Sequence, residues 1–167
     1  MPANKSRSNL SPKSSRPHMP GYGIPKSSKG MLPWKWAEQR LKKSHNYWIS
    51  TARPDGSPHT MIVWGLWLDG GFYFSTGSKS RKARNLAHTP RCVICTEHAE
   101  QAVIIEGTAR LSRDPAILKR FAVLYEKKYG WDMKDFAEPV YVVQPRVAFG
   151  LYEKDFMGSA TRWKFDS

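Results

Sequence analysis

Four cations, Lys79, Arg81, Lys82 and Arg84, crowd a stretch that also carries the hydroxyls of Ser75, Thr76, Ser78 and Ser80. The chain passes there from an apolar, aromatic run, Phe72-Tyr73-Phe74, through a Ser/Thr/Gly turn into a helix start. That chemistry suits a phosphate. Hydroxyls and the free N–H groups of a helix's first turn donate to an anion, and the helix dipole favours negative charge there. Arg adds a fork of donors and Lys a point charge. Cations at a helix N-terminus oppose the dipole by a few tenths to about 1 kcal/mol each, so several together point to an anion that offsets them. A solvated basic helix face accounts for the same pattern equally well.

Other chemistry is sparse. The chain has no hydrolase nucleophile motif, no Walker loop and no dinucleotide fingerprint. His59 is a lone strand histidine, by default structural or solvent-facing, and His18, His45, His88 and His98 form no ligand spacing. The acidic residues do not pair into a general acid/base dyad, so no catalytic side chain is assigned. Cys92 and Cys95 lie three apart in a β-prone run and point to opposite faces, poor geometry for a disulfide or a shared metal. They read as buried thiols of a reducing, cytoplasmic compartment, and no metal site is expected. What remains is the basic turn beside aromatic strands carrying Trp64, Trp67, Tyr73 and Phe74. An anion site with flat apolar walls suits a phosphorylated, planar ligand that brings its own reactivity.

The elements that position this turn are short. Pro33, Trp34, Ala37 and Leu41 mark an amphipathic helix ending near Ser44. Tyr47–Ala52, a Pro54-Asp55-Gly56 turn, a long strand from His59 to Leu68, an Asp69-Gly70-Gly71 turn and Phe72–Phe74 read as a three-stranded antiparallel meander over residues 46–76. A helix then runs to about His88, where Pro90 stops it. Strands follow at Arg91–Thr96 and Ala102–Leu111, the second with Val103, Ile105, Gly107 and Ala109 on one face. A helix is expected from Pro115 to Tyr129 and a helical turn over Met133–Phe136. Strands at Val140–Val143, Arg146–Tyr152 and Ala160–Phe165 close the domain. The pattern predicts a mainly β, α+β fold: a small barrel of about six to seven antiparallel strands with a few covering helices.

The 167 residues fit one domain, and their seven Trp residues suit a pocket or interface as well as a core. The net charge is +13, and residues 1–30 hold six Lys/Arg and no acid. That Ser/Pro/Gly-rich tail is expected to be disordered, with the domain spanning residues 31–167. No apolar run reaches the length of a membrane span, and the N-terminus lacks the apolar core of a secretory signal.

Several segments taken together resemble the pyridoxamine 5′-phosphate oxidase-like superfamily, in its flavin/deazaflavin oxidoreductase branch. They are Thr51-Ala52-Arg53-Pro54-Asp55-Gly56-Ser57-Pro58-His59, Val63-Trp64-Gly65-Leu66-Trp67, Phe74-Ser75-Thr76-Gly77, Ser80-Arg81-Lys82-Ala83-Arg84-Asn85-Leu86 and Pro90-Arg91-Cys92-Val93. Thr161-Arg162-Trp163 is similar to the family's C-terminal segment. The resemblance covers the chain from about Trp34 onward. It implies an FMN-binding split β-barrel and a homodimer with cofactor, FMN or the deazaflavin coenzyme F420, in grooves between subunits. It further implies that Lys82 and Arg81 hold the cofactor phosphate, with hydroxyls from Ser80 and Thr76. Met61, Ile62, Val63 and Trp64 would lie along the ring, and Arg162 and Trp163 would reach it from the partner chain.

On this reading the protein transfers a hydride to or from a small organic molecule. The sequence does not separate FMN from F420 and names no acceptor. Two other readings stand beside it: a non-catalytic flavin or deazaflavin carrier or sensor, and a basic nucleic-acid-binding barrel with aromatic stacking. Nucleic acid is the least favoured partner, and no membrane is expected.

Overall fold

The computed structural model describes residues 11–134 and 138–166. Among them are nine strands and four helices, mostly one antiparallel sheet. Strand β1 is Lys13–Ser15, followed by helix α1, Trp34–Lys43. Strands β2, Tyr47–Ala52, and β3, Pro58–Val63, pair across the expected tight turn, where Gly56 takes φ +84°. Strands β4, Gly65–Leu68, and β5, Gly71–Ser75, form a second hairpin. Its two loop residues, Asp69 and Gly70, both have positive φ (49° and 79°), the turn whose twist matches that of the strands.

The stretch expected as one strand from His59 to Leu68 is therefore two, and the three-stranded meander does not form. The chain breaks at Trp64, so that β3 pairs β2 while β4 turns to β5, which itself pairs β8. Gly65 makes the break possible. A Cβ there would lie 2.7 Å from the Tyr73 carbonyl oxygen and would also strike the Phe72 ring.

Helix α2, Arg81–His88, precedes strands β6, Arg91–Thr96, and β7, Gln101–Leu111. Val103, Ile105, Gly107 and Ala109 of β7 face the core as the alternation predicted. Helix α3, Pro115–Tyr129, starts on Asp114, whose carboxylate accepts from the amides of Ala116 and Ile117, and ends on Gly130 in the left-handed region. The helical turn expected over Met133–Phe136 lies partly outside the described residues. The two strands expected after it are one, β8, Val140–Tyr152. One extra residue, Arg146, bulges out where the register shifts opposite Glu106 and Gly107. On one side β8 pairs β7 throughout; on the other it pairs β5 before the bulge and β9 after it. This change of neighbour splits the barrel. A 3-10 turn, Glu153–Asp155, and helix α4, Phe156–Ser159, lead into β9, Thr161–Lys164.

The tail is not structureless over its described part. Strand β1 pairs β9 with Lys13 opposite Lys164 and Ser15 opposite Arg162. Arg16 then donates to the carbonyls of Ser27 (2.9 Å), Lys29 (2.7 Å), Gly158 (2.7 Å) and Ala160 (2.9 Å). An unpaired sheet edge and one guanidinium fork order a segment too poor in apolar side chains to do so by burial.

Two apolar clusters fill the fold. One, with Tyr47, Ile49, Phe72, Phe74, Ile94, Ile105, Val143 and Trp163, lies inside the barrel under α1. The other, with Leu66, Tyr73, Phe121, Tyr125 and Val142, lies between α3 and the β4–β5–β8 face. No helix among the described residues is long and apolar enough to cross a membrane.

Candidate functional site

Ser80 sets the position of the basic helix. Its hydroxyl accepts from the Ala83 amide (3.1 Å) as the cap of α2, and it meets the Thr76 hydroxyl at 3.1 Å. The two remaining first-turn amides, those of Arg81 and Lys82, form no hydrogen bond among the described residues. Farther along α2, Asn85 is fully buried and donates its amide to the Thr51 hydroxyl of β2 (2.9 Å). That bond anchors the helix against the sheet and brings its N-terminus beside the start of β3.

There His59, opposite Thr51 in the register, lies within electrostatic range of Arg53, Lys82 and Arg81. Burial first, and then these three cations, hold its pKa below the ordinary histidine value. Its Nδ1 is buried with no hydrogen-bond partner. Lys82 is partly buried, which lowers its pKa too. Among the described residues no carboxylate lies within ion-pair distance of Arg53, Lys79, Arg81, Lys82 or Arg84. Arg53 instead donates back to the Pro58 carbonyl (2.9 Å) and the Ser57 hydroxyl (3.3 Å) of its own turn. Asp55, the acid of that turn, accepts from the Ser57 amide and hydroxyl, and these bonds keep its pKa low. Among the described residues, cationic charge is thus concentrated in one place with no carboxylate in ion-pair contact, while Glu138 accepts from the Ser78 amide (3.0 Å) in the turn before α2.

The strand beside this cluster ends the sheet path, so one edge of β3 is unpaired and every second residue turns its N–H and C=O outward. Met61 and Ile62 are 49% and 50% exposed, while Val63 is buried. Ile62 belongs to a row that crosses the outer face of the sheet through Trp48, Cys95, Ile104 and Phe149 to Arg162. Trp48 in that row is 44% exposed, and Arg162 is partly exposed and in no ion pair.

The sequence-predicted residues therefore separate into groups. Thr76 and Ser80 meet at the start of α2, and Arg81 and Lys82 of its first turn act electrostatically on His59, at the start of the edge strand that farther along bears Met61, Ile62 and Val63. Trp64 does not present its ring to that edge; it stacks on Tyr129 (4.6 Å, 6° between planes) and donates to the Asn46 side chain. Trp163 lies in the core at 1% exposure, edge-on to Trp34 at 5.3 Å, which takes it out of reach of a surface ligand. The aromatic walls expected beside the basic turn are likewise internal. Trp67 and Phe74 fill the barrel and Tyr73 faces α3, because β4 and β5 run between the two cores. His59 and Arg53 are the residues that sequence reasoning missed. The turn pattern that places Arg53 and His59 either side of Pro54-Asp55-Gly56 was visible, but the approach of α2 to it was not.

A sequence model described as pyridoxamine 5′-phosphate oxidase matches residues 34–151. No curated protein matches the chain. Among solved structures, a conserved hypothetical protein of Mycobacterium tuberculosis is similar at 23% identity and a TM-score of 0.62, over 70% of this chain and 82% of that one. An F420 reductase is similar at 20% identity and a TM-score of 0.56, over 66% and 94%. HutZ, the heme storage protein of Vibrio cholerae, is similar at 14% identity and a TM-score of 0.55, over 65% and 87%. These structures share the split-barrel fold that the strand pairing describes, and the sequence match runs from α1 through β8 without a gap in the elements that build it. The chain belongs to the pyridoxamine 5′-phosphate oxidase family.

Proposed function

We propose that the protein is an oxidoreductase that binds FMN or coenzyme F420 and moves a hydride to or from a small organic molecule. The observation that carries this reading is the uncompensated cluster of Arg53, Arg81 and Lys82 beside the open edge of β3. The residues present fit a phosphorylated, flat ligand. Lys82 pays a desolvation cost with no acid beside it, and the Nδ1 of His59 is an orphaned polar atom. The desolvated ammonium argues for an anion as its missing partner.

Either cofactor, when bound, would supply the redox-active ring that the side chains lack. The chain's own residues do the rest. Lys82 and Arg81 hold the phosphate together with the two free amides of α2, and the Ser80 and Thr76 hydroxyls lie against it. The outward N–H and C=O groups of β3 orient the ring's polar edge. Met61 and Ile62 exclude water from its face. The row from Ile62 to Phe149, exposed at Ile62 and Trp48 and half-buried at Cys95, Ile104 and Phe149, supports a second copy of the chain as the other wall of the groove, with Arg162 at the end of the row reaching into the partner's site.

Titration of the purified protein with FMN and with F420, read by ligand fluorescence, tests the proposal. Saturable binding of one of them, followed by reoxidation of the reduced complex by an organic acceptor, is the expected result. Binding without turnover would make the protein a carrier. No binding of either would end the reading. Hemin belongs in the same titration, because HutZ is a heme storage protein with this fold.

A further inference from the structure

His59 stands where a neutral histidine is easy to keep and a charged one is not. Its ring lies on the side of β3 that faces Thr51 and Asn85, neither of which carries charge. The Asn85–Thr51 bond docks α2 on the strand next to it, and from there Arg81 and Lys82, with Arg53 from the preceding turn, act electrostatically on the ring. The nearest acid in sequence, Asp55, is engaged by Ser57. The buried Nδ1 finds no acceptor, so a doubly protonated ring would leave an N–H unmet as well as adding a fourth positive charge. An arriving anion would offset the three neighbouring cations and so lower the electrostatic part of the cost of the imidazolium.

We propose that His59 is a proton-linked member of the anion site, neutral in the free protein and charged when a phosphate-type dianion occupies the cleft beside Arg81 and Lys82. This inference rests on the reading of that cluster as a phosphate site. Binding moves one proton from solvent onto the imidazole, forming an N–H bond as an O–H bond of hydronium breaks; no other covalent bond changes. The consequence follows from linkage: a ring that is harder to protonate free than bound makes the affinity rise as pH falls between its bound and free pKa values. For one proton the dependence is at most about tenfold in affinity per pH unit inside that window, and absent outside it.

The test follows the His59 ring by proton–carbon NMR from pH 4.5 to 8.5 in the full chain, its signal assigned by loss in His59→Gln. Sulfate is the first probe, because its charge is constant over that range, and FMN is the second. The expected result is a midpoint below the ordinary histidine value without anion that moves up in sulfate and in FMN. Sulfate affinity should then depend on pH in the wild type and not in His59→Gln. Lys82→Ala should raise the anion-free midpoint by removing one neighbouring cation. If sulfate and FMN shift the amides of Arg81 and Lys82 while the His59 midpoint stays still, the proton-linked role is overturned and the phosphate site survives. If neither probe moves those amides, the phosphate site itself fails, and the role of His59 with it.

Discussion

Lys82 is the side chain on which the candidate site depends most directly. It gives up hydration without an acidic neighbour, so its charge is available to a ligand at full strength. Lys82→Ala is expected to weaken FMN binding by about 1.5–3 kcal/mol, the scale of one hydrogen bond to a charged group, as read by fluorescence titration. Lys128 shows the opposite use of a buried amine. Its ammonium donates to the Tyr47 hydroxyl (2.9 Å) and the Gly65 carbonyl (3.1 Å), over the rings of Tyr47 and Tyr129. Burial, only partly countered by Glu97, lowers its pKa to about 8. The unfolded chain therefore holds a proton that the folded one sheds between about pH 8 and the ordinary lysine value near 10.4, so this group makes stability rise with pH across that window. Urea unfolding at pH 7.5, 8.5 and 9.5 should show the wild type gaining stability relative to Lys128→Met as pH rises; the comparison is needed because the thiols of Cys92 and Cys95, whose pKa values burial raises, act in the reverse sense in both proteins. The measurement stops at 9.5 because Tyr47 and Tyr129, whose pKa values burial raises, act in the reverse sense at higher pH.

At the scale of elements, two devices hold the site's surroundings. The last turn of α3 pins the break between β3 and β4. The Tyr129 hydroxyl takes the Gly65 amide (3.0 Å) and reaches the carbonyls of His45 (2.8 Å) and Gly65 (2.9 Å), while its ring covers Trp64. This fixes where β3 stops, and hence which of its residues border the cleft. At the other end of the fold, Arg16 ties the segment after β1 to the turn before β9, which carries Arg162. Arg16→Ala removes all four of its hydrogen bonds and leaves carbonyls that water satisfies only in part. A loss of about 2 kcal/mol is expected. Thermal unfolding should report it as a Tm lower by roughly 4–8 °C. An unchanged Tm would mean that the arm contributes nothing to the stability of the C-terminal segment.

At the scale of the whole molecule, the open face of the sheet carries the proposed assembly. Trp48 and Ile62, partners in the register, expose apolar surface together on this face, where a monomer gains nothing by displaying it. On the proposed reading this face packs against a second copy and completes the cofactor groove. Ile62→Glu places a charge at the centre of that contact. Sedimentation is expected to show a monomer for this variant and a dimer for the wild type, with FMN affinity falling alongside. A wild-type monomer that still binds FMN tightly would separate the site from the assembly.

The sequence by itself determined the elements that obey local rules. Pro33, Pro115 and Gly130 bound helices, Pro54-Asp55-Gly56 and Asp69-Gly70 turn hairpins, and the alternation in β7 separates its faces. It also placed the cationic helix start after a Ser/Thr turn, because capping and charge density are properties of neighbours in the chain. Only the tertiary structure decided which long-range partners each element takes. It broke the His59–Leu68 run at Gly65, where Phe72 and Tyr73 leave no room for a side chain, and it joined 140–152 into one strand with a bulge. It moved Trp163, Trp67 and Phe74 into the core, since periodicity marks an apolar face but not what covers it. It gave β1 to the free edge of β9 and brought His59 to α2, contacts between segments about 150 and 20 residues apart that no local pattern encodes.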